Sequence, residues 1–288
     1  MRKRFLFTVI LFPITLTAQH WKREPNTEDN LKEILFRSTI TTTYPTAYTI
    51  GKGDIQYEIS HRFVPSISEG SKANFGIDGP VDMRMALSYG ITNDLMISLG
   101  RSNLMDNYDL RFKYRFYQSQ IEDNYLDLAM QAGVALNTDI PAILNRATFD
   151  SDNVQFYAQG IINVMLFDKK FGIGLVPSYL YNSMIYTIEK QYTVTLGTYY
   201  QYYFNRMFSF RFEYAPVITG YHGIVTPGES GQSYNSMTFD FDIETGGHVF
   251  QLMLTNNLRL NPSQYIVGAN DSAGSGKWHF GFGITRAF

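Results

Sequence analysis

Stretches in which apolar and polar residues alternate with a period of two constrain the fold of this chain most strongly. Every second residue from Tyr108 to Phe116 is apolar or aromatic, and the residues between them are Asp109, Arg111, Lys113 and Arg115. The stretches 208–214 and 237–244 repeat this alternation, with Arg211 and Glu213 in the first and Asp240, Asp242 and Glu244 in the second. Because successive side chains of a β-strand point to opposite faces, each stretch predicts a strand with one apolar face and one charged face.

The composition agrees with this pattern. The 288 residues include 21 Tyr and 22 Phe, yet the mean hydropathy is only −0.17. Strands that show an apolar face to lipid and a polar face to a lumen produce this combination. The absence of cysteine excludes disulfides and a lipid-modified cysteine anchor.

The same alternation predicts about twelve strands, near residues 54–63, 81–90, 94–101, 108–117, 125–137, 154–166, 171–181, 192–204, 207–217, 237–244, 248–258 and 277–288. Short connections such as 92–93 and 205–206 alternate with long ones such as 64–80 and 259–276. An even number of strands, with short turns at one end and long loops at the other, is typical of an antiparallel transmembrane β-barrel whose termini lie in the periplasm. A secreted β-sandwich is the alternative, but it rarely carries this pattern on so many strands.

The N-terminus has the pattern of a secretory signal peptide, residues 1–18. Three basic residues precede an apolar stretch at 5–16, and cleavage is expected near Ala18. That stretch is too short to span a bilayer as a helix. Without these three cations, 21 Lys and Arg stand against 26 Asp and Glu, a net charge of −5 that gives no sign of a nucleic-acid partner.

Residues 19–50 are then expected to form a periplasmic segment, and residues 51–288 the barrel. A short helix is predicted at 26–36, with a polar cap and Leu31, Ile34 and Leu35 on one face. Three roles remain open for it: a periplasmic lid, a small plug, or an amphipathic leader against the barrel rim.

The last strand resembles the assembly signal of bacterial outer-membrane barrels. Its alternating apolar residues and its terminal aromatic residue are Trp278, Phe280, Phe282, Ile284 and Phe288. This resemblance implies outer-membrane lipid as the surroundings and the barrel-assembly machinery as a partner during biogenesis.

Several ordered stretches extend the resemblance over most of the mature chain. They are residues 50–53, 59–63, 89–93, 100–102, 246–252 and 280–286. In these the chain resembles a family of functionally uncharacterised outer-membrane β-barrel proteins of Bacteroidota. The resemblance implies a fold and a location in the cell outer membrane, and it brings no catalytic residues with it.

Strand parity places a set of charged residues on the inner face, and these are the candidate lumen-lining residues: Glu58, Arg62, Asp82, Arg84, Asp109, Arg111, Lys113, Arg115, Asp127, Arg211, Glu213, Asp240, Asp242 and Glu244. The fourth and tenth strands lie opposite each other in a twelve-stranded barrel. Their basic and acidic rows therefore predict either a transverse field across a pore or charges that neutralise near neighbours and keep the lumen wet.

Small residues on the inner face of three strands leave room in the lumen: Gly133, Ala135, Gly172, Gly174 and Gly197. One interpretation is solute space or a docking wall for an inserted segment. The other is strand curvature and bulging, which glycine also permits.

Catalytic and metal-binding patterns are weak in this sequence. The five histidines form neither a nucleophile motif nor a close pair at metal-ligand spacing. Ser60 and His61 are adjacent, but neighbours in a strand point to opposite faces. We therefore expect no enzyme activity, no cofactor and no metal.

The sequence favours a passive channel for small hydrophilic solutes. The alternative is a closed, non-conducting barrel that anchors or binds a periplasmic protein, and an outer-membrane hydrolase is a minor third possibility.

Overall fold

The computed structural model describes residues 36–187, 189–223 and 231–288. In this part of the chain, twelve strands alternate with turns and loops: β1 (Ile55–Phe63), β2 (Val81–Gly90), β3 (Leu95–Ser102), β4 (Asn107–Ile121), β5 (Asn124–Asn137), β6 (Val154–Leu166), β7 (Phe171–Tyr181), β8 (Tyr192–Tyr203), β9 (Phe208–Ala215, continued after Pro216 by Val217–Gly220), β10 (Ser236–Glu244), β11 (His248–Thr255) and β12 (His279–Ala287).

Each strand pairs antiparallel with the next, and β12 pairs with β1 to close the sheet into a barrel. The register at the closure places Ile59 beside Ile284. The predicted all-β, twelve-stranded barrel is therefore confirmed. The largest difference in strand bounds is in β4, which runs to Ile121 because a bulge after Arg115 shifts its register without ending the pairing.

The two faces follow the predicted parity. In β4, Tyr108, Phe112 and Tyr114 are exposed on the outside, whereas Asp109 and Arg111 are buried inside. A barrel with an apolar outer band and a polar interior is suited to span a lipid bilayer.

The two rims differ as expected. We call the end that carries the short turns, including Asn93 and Asn205, the turn rim; β1 begins there, next to the C-terminal Phe288. The opposite end, with the long loops, is the loop rim.

The helices are short. The one α-helix among the described residues is α1 (Pro262–Tyr265), and the 3-10 segments are Ile67–Gly76, Leu104–Asp106, Ala142–Leu144, Ser151–Asn153 and Ala273–Ser275. No helix in the described ranges has the length and apolar character needed to cross a membrane.

Part of the chain ahead of β1, residues 36–50, lies inside the barrel. Residues 38–47 form a tight turn-back that we call the N-terminal hairpin. It is closed by a bridge between Ile40 and Pro45 and by a hydrogen bond from Thr41 N to Tyr44 O of 2.8 Å. Its residues are almost fully buried. The sequence predicted a periplasmic segment over residues 19–50, and the structure places residues 36–50 of it against the barrel wall. The signal peptide and all of the predicted helix except Phe36 lie outside the described residues.

A second segment enters the barrel from the loop rim. Residues 256–270, which we call the loop insert, were expected to end a strand and continue as a surface loop. Instead β11 ends at Thr255, and Asn257, Arg259, Tyr265 and Ile266 are all buried. Polar and apolar residues alike are covered by the barrel wall.

Candidate functional site: the barrel lumen

The structure places the predicted lumen residues on the inner face. Twelve of the fourteen are buried, and the other two, Asp82 and Glu244, are half-buried near the rims. They separate into groups with different partners.

One group of four charges joins β1, β2 and β4. The Arg84 guanidinium forms an ion pair with Glu58 and lies 3.6 Å from Asp109. Arg111 lies 3.4 Å from Glu58 and 3.7 Å from Asp109. Two cations and two carboxylates therefore compensate one another within the group.

A second group lies across the lumen on β9 and β10. Arg211 forms ion pairs with Asp240 and with Asp242, the latter at 2.9 Å, and lies 3.6 Å from Glu213. These local pairs favour the interpretation that lumen charges neutralise near neighbours. The predicted field between β4 and β10 would have to pass the N-terminal hairpin, which bonds to Lys113 of β4 and to Arg211 of β9, the neighbour of β10.

Two charged wall residues hold the hairpin through its main chain. Lys113 Nζ donates to the carbonyl oxygens of Thr39 and Thr46 at 2.6 and 3.0 Å. On the other side, the carboxylate of Glu213 accepts a hydrogen bond from Thr42 N at 3.0 Å. Hydrogen bonds to charged groups are among the stronger ones in proteins.

Two neutral wall residues complete these main-chain contacts. Asn163 Oδ1 accepts from Ala47 N at 2.8 Å, and the Tyr199 hydroxyl donates to Pro45 O at 3.2 Å. Asn163 also donates to the Tyr199 hydroxyl at 2.6 Å, which fixes both side chains.

Aromatic rings near the hairpin fill the space that glycine leaves in the wall. A Cβ added at Gly172 would lie 2.7 Å from the Phe36 ring, and one added at Gly197 would lie 2.7 Å from the Tyr44 ring. These two glycines form a docking wall for an inserted segment, one of the alternatives that the sequence left open. The remaining small positions differ: Gly133 and Gly174 face Tyr157 and Tyr199 of the wall itself, and Ala135 is buried.

The loop insert also packs inside the lumen, against other wall residues. Asn261 accepts a hydrogen bond from Arg84 Nε at 2.5 Å and donates to Asn107 Oδ1 at 2.6 Å. The Tyr265 hydroxyl lies within hydrogen-bonding distance of Gln159 on β6.

The two inserted segments meet inside the barrel. The rings of Tyr44 and Tyr265 pack edge to face with centroids 5.2 Å apart. Arg62 donates to Thr42 O at 3.1 Å and to Asn257 O at 2.6 Å, so it bonds to both segments.

Two cavities that border the hairpin have volumes of only about 10 Å³ each. A cavity of that volume holds about one water molecule. One is lined by Arg37, Ser38 and Asp242, among others, and the other by Thr39, Glu58 and Lys113, among others.

The histidines that were considered for chemistry lie apart. Ser60 is buried in the lumen, whereas His61 stacks on Phe282 outside, with ring centroids 4.5 Å apart. His248 contacts Arg286, and His279 contacts Asp271. Within the described ranges, no group of three His, Cys, Asp or Glu side chains is placed to hold a metal ion.

The proposed assembly residues lie along β12 and its ends. Phe280 and Phe282 are on the outer face, Trp278 packs on Phe239, and Phe288 is exposed at the turn rim.

The sequence did not identify the residues that shape the filled lumen: Phe36, Tyr44, Asn163, Tyr199 and Tyr265. The inward parity of Asn163 and Tyr199 was visible in their strands. The Tyr44-Pro45 turn within a threonine-rich run is the one signal that pointed to the hairpin.

Comparison with known proteins identifies the fold. A model of the family described as membrane bound beta barrel domain (DUF5777) matches residues 36–288. An outer membrane channel from Pseudomonas putida, COG4313, has a TM-score of 0.50 at 9% identity over 84% of this chain and 98% of its own. No curated protein matches this chain.

Two further solved structures have lower scores. The NanC porin has a TM-score of 0.48 at 9% identity, over 81% of this chain and 98% of its own. Outer membrane phospholipase A from Escherichia coli has a TM-score of 0.40 at 10% identity, over 81% of this chain and 90% of its own.

Proposed function

Since this chain belongs to the DUF5777 family of membrane-bound β-barrel domains, we propose that it is an outer-membrane channel for small hydrophilic solutes that is closed at rest. The observation that carries the proposal is the meeting of two inserted segments inside a polar barrel, through Arg62 and through the rings of Tyr44 and Tyr265. The channel conducts when the N-terminal hairpin leaves the lumen.

The way in which the hairpin is attached supports a removable closure. Both of its ends lie at the turn rim, where Arg37 donates to Asn205 O at 2.9 Å and Thr49 donates to Asn93 O at 2.8 Å. Wall side chains hold it, and it forms no pairing with a barrel strand. It can therefore withdraw toward the periplasm without breaking the barrel ladder, which a transmembrane barrel needs intact.

The proposal extends to location and biogenesis. The fold shared with outer-membrane proteins supports an outer-membrane location. We propose an origin in Bacteroidota, export by a signal peptide cleaved near Ala18, and insertion by the barrel-assembly machinery through residues 278–288. We assign the protein no catalytic role, no cofactor and no nucleic-acid partner.

A second candidate function is a permanently closed barrel that anchors or binds a periplasmic protein. The dense filling of the lumen favours it, since the cavities beside the hairpin have room for only about one water molecule each.

Conductance in a planar bilayer separates the two candidates. We expect the mature chain to be silent or to open only briefly, and a chain without residues 19–45 to conduct steadily. Steady current in both forms would contradict closure by the hairpin, and silence in both would favour the permanently closed barrel.

A further inference from the structure

The lumen wall bonds to the hairpin mainly through the hairpin's peptide groups. Lys113, Arg62 and Tyr199 donate to its carbonyl oxygens, and Glu213 and Asn163 accept from its N–H groups. These donors and acceptors lie on different sides of the barrel, so the wall surrounds the main chain of the hairpin.

The threonine side chains of the hairpin contribute less to this binding. The Thr41 hydroxyl donates to Tyr44 O, and the Thr46 hydroxyl donates to Ser38 O, both within the hairpin. The wall contacts to hairpin hydroxyls include Gln56 to Thr39 at 2.7 Å and Arg211 to Thr42 at 3.5 Å. A different sequence with the same main-chain course would keep most of the contacts.

Two aromatic rings make the side-chain contacts that depend on the sequence of the hairpin segment. Phe36 and Tyr44 occupy the spaces left by Gly172 and Gly197, and both rings are buried. Recognition of the main chain together with pockets for a few side chains is a common way of binding peptides.

We infer that the lumen is a binding site for short peptides that carry aromatic residues, and that the hairpin occupies this site as an internal substitute. The inference rests on the proposed function in one respect, because the hairpin has to leave before another peptide can enter. The class of solute is then peptides. The wall residues that bind them are Lys113, Glu213, Arg62, Asn163 and Tyr199.

The test uses the full mature chain and a fluorescent peptide that copies residues 36–50. In the parent chain the tethered hairpin competes at a high effective concentration, which hides the site. The substitutions F36A and Y44A weaken the hairpin and leave the wall unchanged. We expect saturable binding to the F36A/Y44A chain, at least about tenfold tighter than to the parent chain.

Altered peptides test whether the main chain is recognised. Methylation of the peptide nitrogens that correspond to Thr42 and Ala47 removes the shorter of the two hydrogen bonds to Glu213 and the one to Asn163, and we expect binding to weaken by about tenfold or more. A peptide that keeps the two aromatic residues but has serine at each threonine position should bind within about threefold of the original. Absence of saturable binding, or equal binding of the methylated peptide, would overturn the inference.

A second variant covers the possibility that F36A/Y44A fails to fold. Ser38 is buried, so a cysteine in S38C reacts with a soluble maleimide only when the hairpin leaves. We expect the copied peptide to accelerate this reaction and a scrambled peptide not to, by mass action on the open state. An unchanged rate would overturn the inference. Peptide binding without any current would refute the proposed channel and leave the peptide site standing. Current without peptide binding would refute the peptide site and leave the channel standing.

Discussion

Arg62 is fully buried, and its guanidinium group bonds to the carbonyl oxygens of Thr42 in the hairpin and Asn257 in the loop insert. Inside a closed lumen no water can replace a lost hydrogen-bond donor. Removing Arg62 therefore costs the free energy of leaving two buried carbonyl oxygens without a donor. This arginine therefore couples the two inserted segments.

We expect Arg62→Gln to destabilise the closed state by about 1.5–3 kcal/mol, the usual contribution of a hydrogen bond to a charged group. Open probability in bilayers and the labelling rate of S38C should both rise, while the barrel itself stays folded. The matched control is Arg101→Gln, which removes a partly exposed ion pair with Asp106 and should change stability by at most about 1 kcal/mol. Equal effects of the two substitutions would contradict the role given to Arg62.

Asp271 stabilises the chain just after the loop insert. Burial alone would raise the pKa of its carboxyl group, but the hydrogen bond from His279 and the charges of His279 and Lys277 outweigh burial and lower that pKa. A lowered pKa in the folded state gives stability that is present above the unfolded pKa of about 3.9 and is lost as the pH falls through the lower folded value.

We therefore expect the loop-rim contacts of Asp271 to hold from neutral pH to about pH 4 and to weaken below it. Trp278 lies in sequence between Lys277 and His279, two partners of Asp271, so its fluorescence reports the change. The substitution W21F leaves it as the only tryptophan. Asp271→Asn should remove the acid-dependent step, so a step of the same size in that variant would refute the assignment.

The hairpin and Phe36, two residues before it, fit the wall by shape as well as by hydrogen bonds. Gly197 has no side chain where the Tyr44 ring lies, and Gly172 likewise accommodates the Phe36 ring. A methyl group at either position lies too close to the ring for both to stay in place.

We predict that Gly197→Ala weakens hairpin docking by about 1–3 kcal/mol, the usual cost of overpacking. Labelling of S38C should become faster. The effect should shrink when Tyr44 is also replaced by alanine, because the clash is then removed. Gly160→Ala is the matched control, since its methyl group would approach only the Pro177 ring on β7; a similar acceleration in that control would contradict docking at Gly197.

Most strands were predictable within a few residues, because lipid outside and a polar lumen inside impose a period of two. The alternation of Tyr108 to Phe116 gave both faces of β4. The extension of β4 to Ile121 was not foreseen, since the bulge after Arg115 interrupts that period.

The inserted segments were not predictable in the same way. Residues 36–50 and 256–270 are rich in Thr and Asn, which normally indicates surface loops. In a polar lumen such segments can be buried, because wall residues such as Lys113 and Glu213 form the hydrogen bonds that water would form at the surface. The glycine positions gave a docking wall as one of two alternatives, and residues 36–50 lie against it; of the helix predicted at 26–36, only Phe36 lies among the described residues.

At the largest scale, residues 36–288 as far as the structure describes them combine a barrel, a hairpin from the turn rim and a loop insert from the loop rim. The barrel closes by the pairing of β1 with β12, and neither inserted segment takes part in that pairing. The proposed opening of the lumen therefore requires no break in the paired wall.

The measurement that tests this account most directly is a reversible lock on the hairpin. The side-chain oxygens of Ser38 and Thr285 lie 3.2 Å apart, which brings cysteines at these positions within reach of a disulfide. The chain has no other cysteine. The pair S38C/T285C, added to the F36A/Y44A chain, therefore ties the weakened hairpin to β12 when oxidised.

In planar bilayers we expect the oxidised protein to be silent, steady current to appear when reductant is added, and silence to return on reoxidation. The F36A/Y44A chain without the cysteines should conduct under both conditions. Equal current in the oxidised and reduced states would contradict the claim that the N-terminal hairpin closes the lumen.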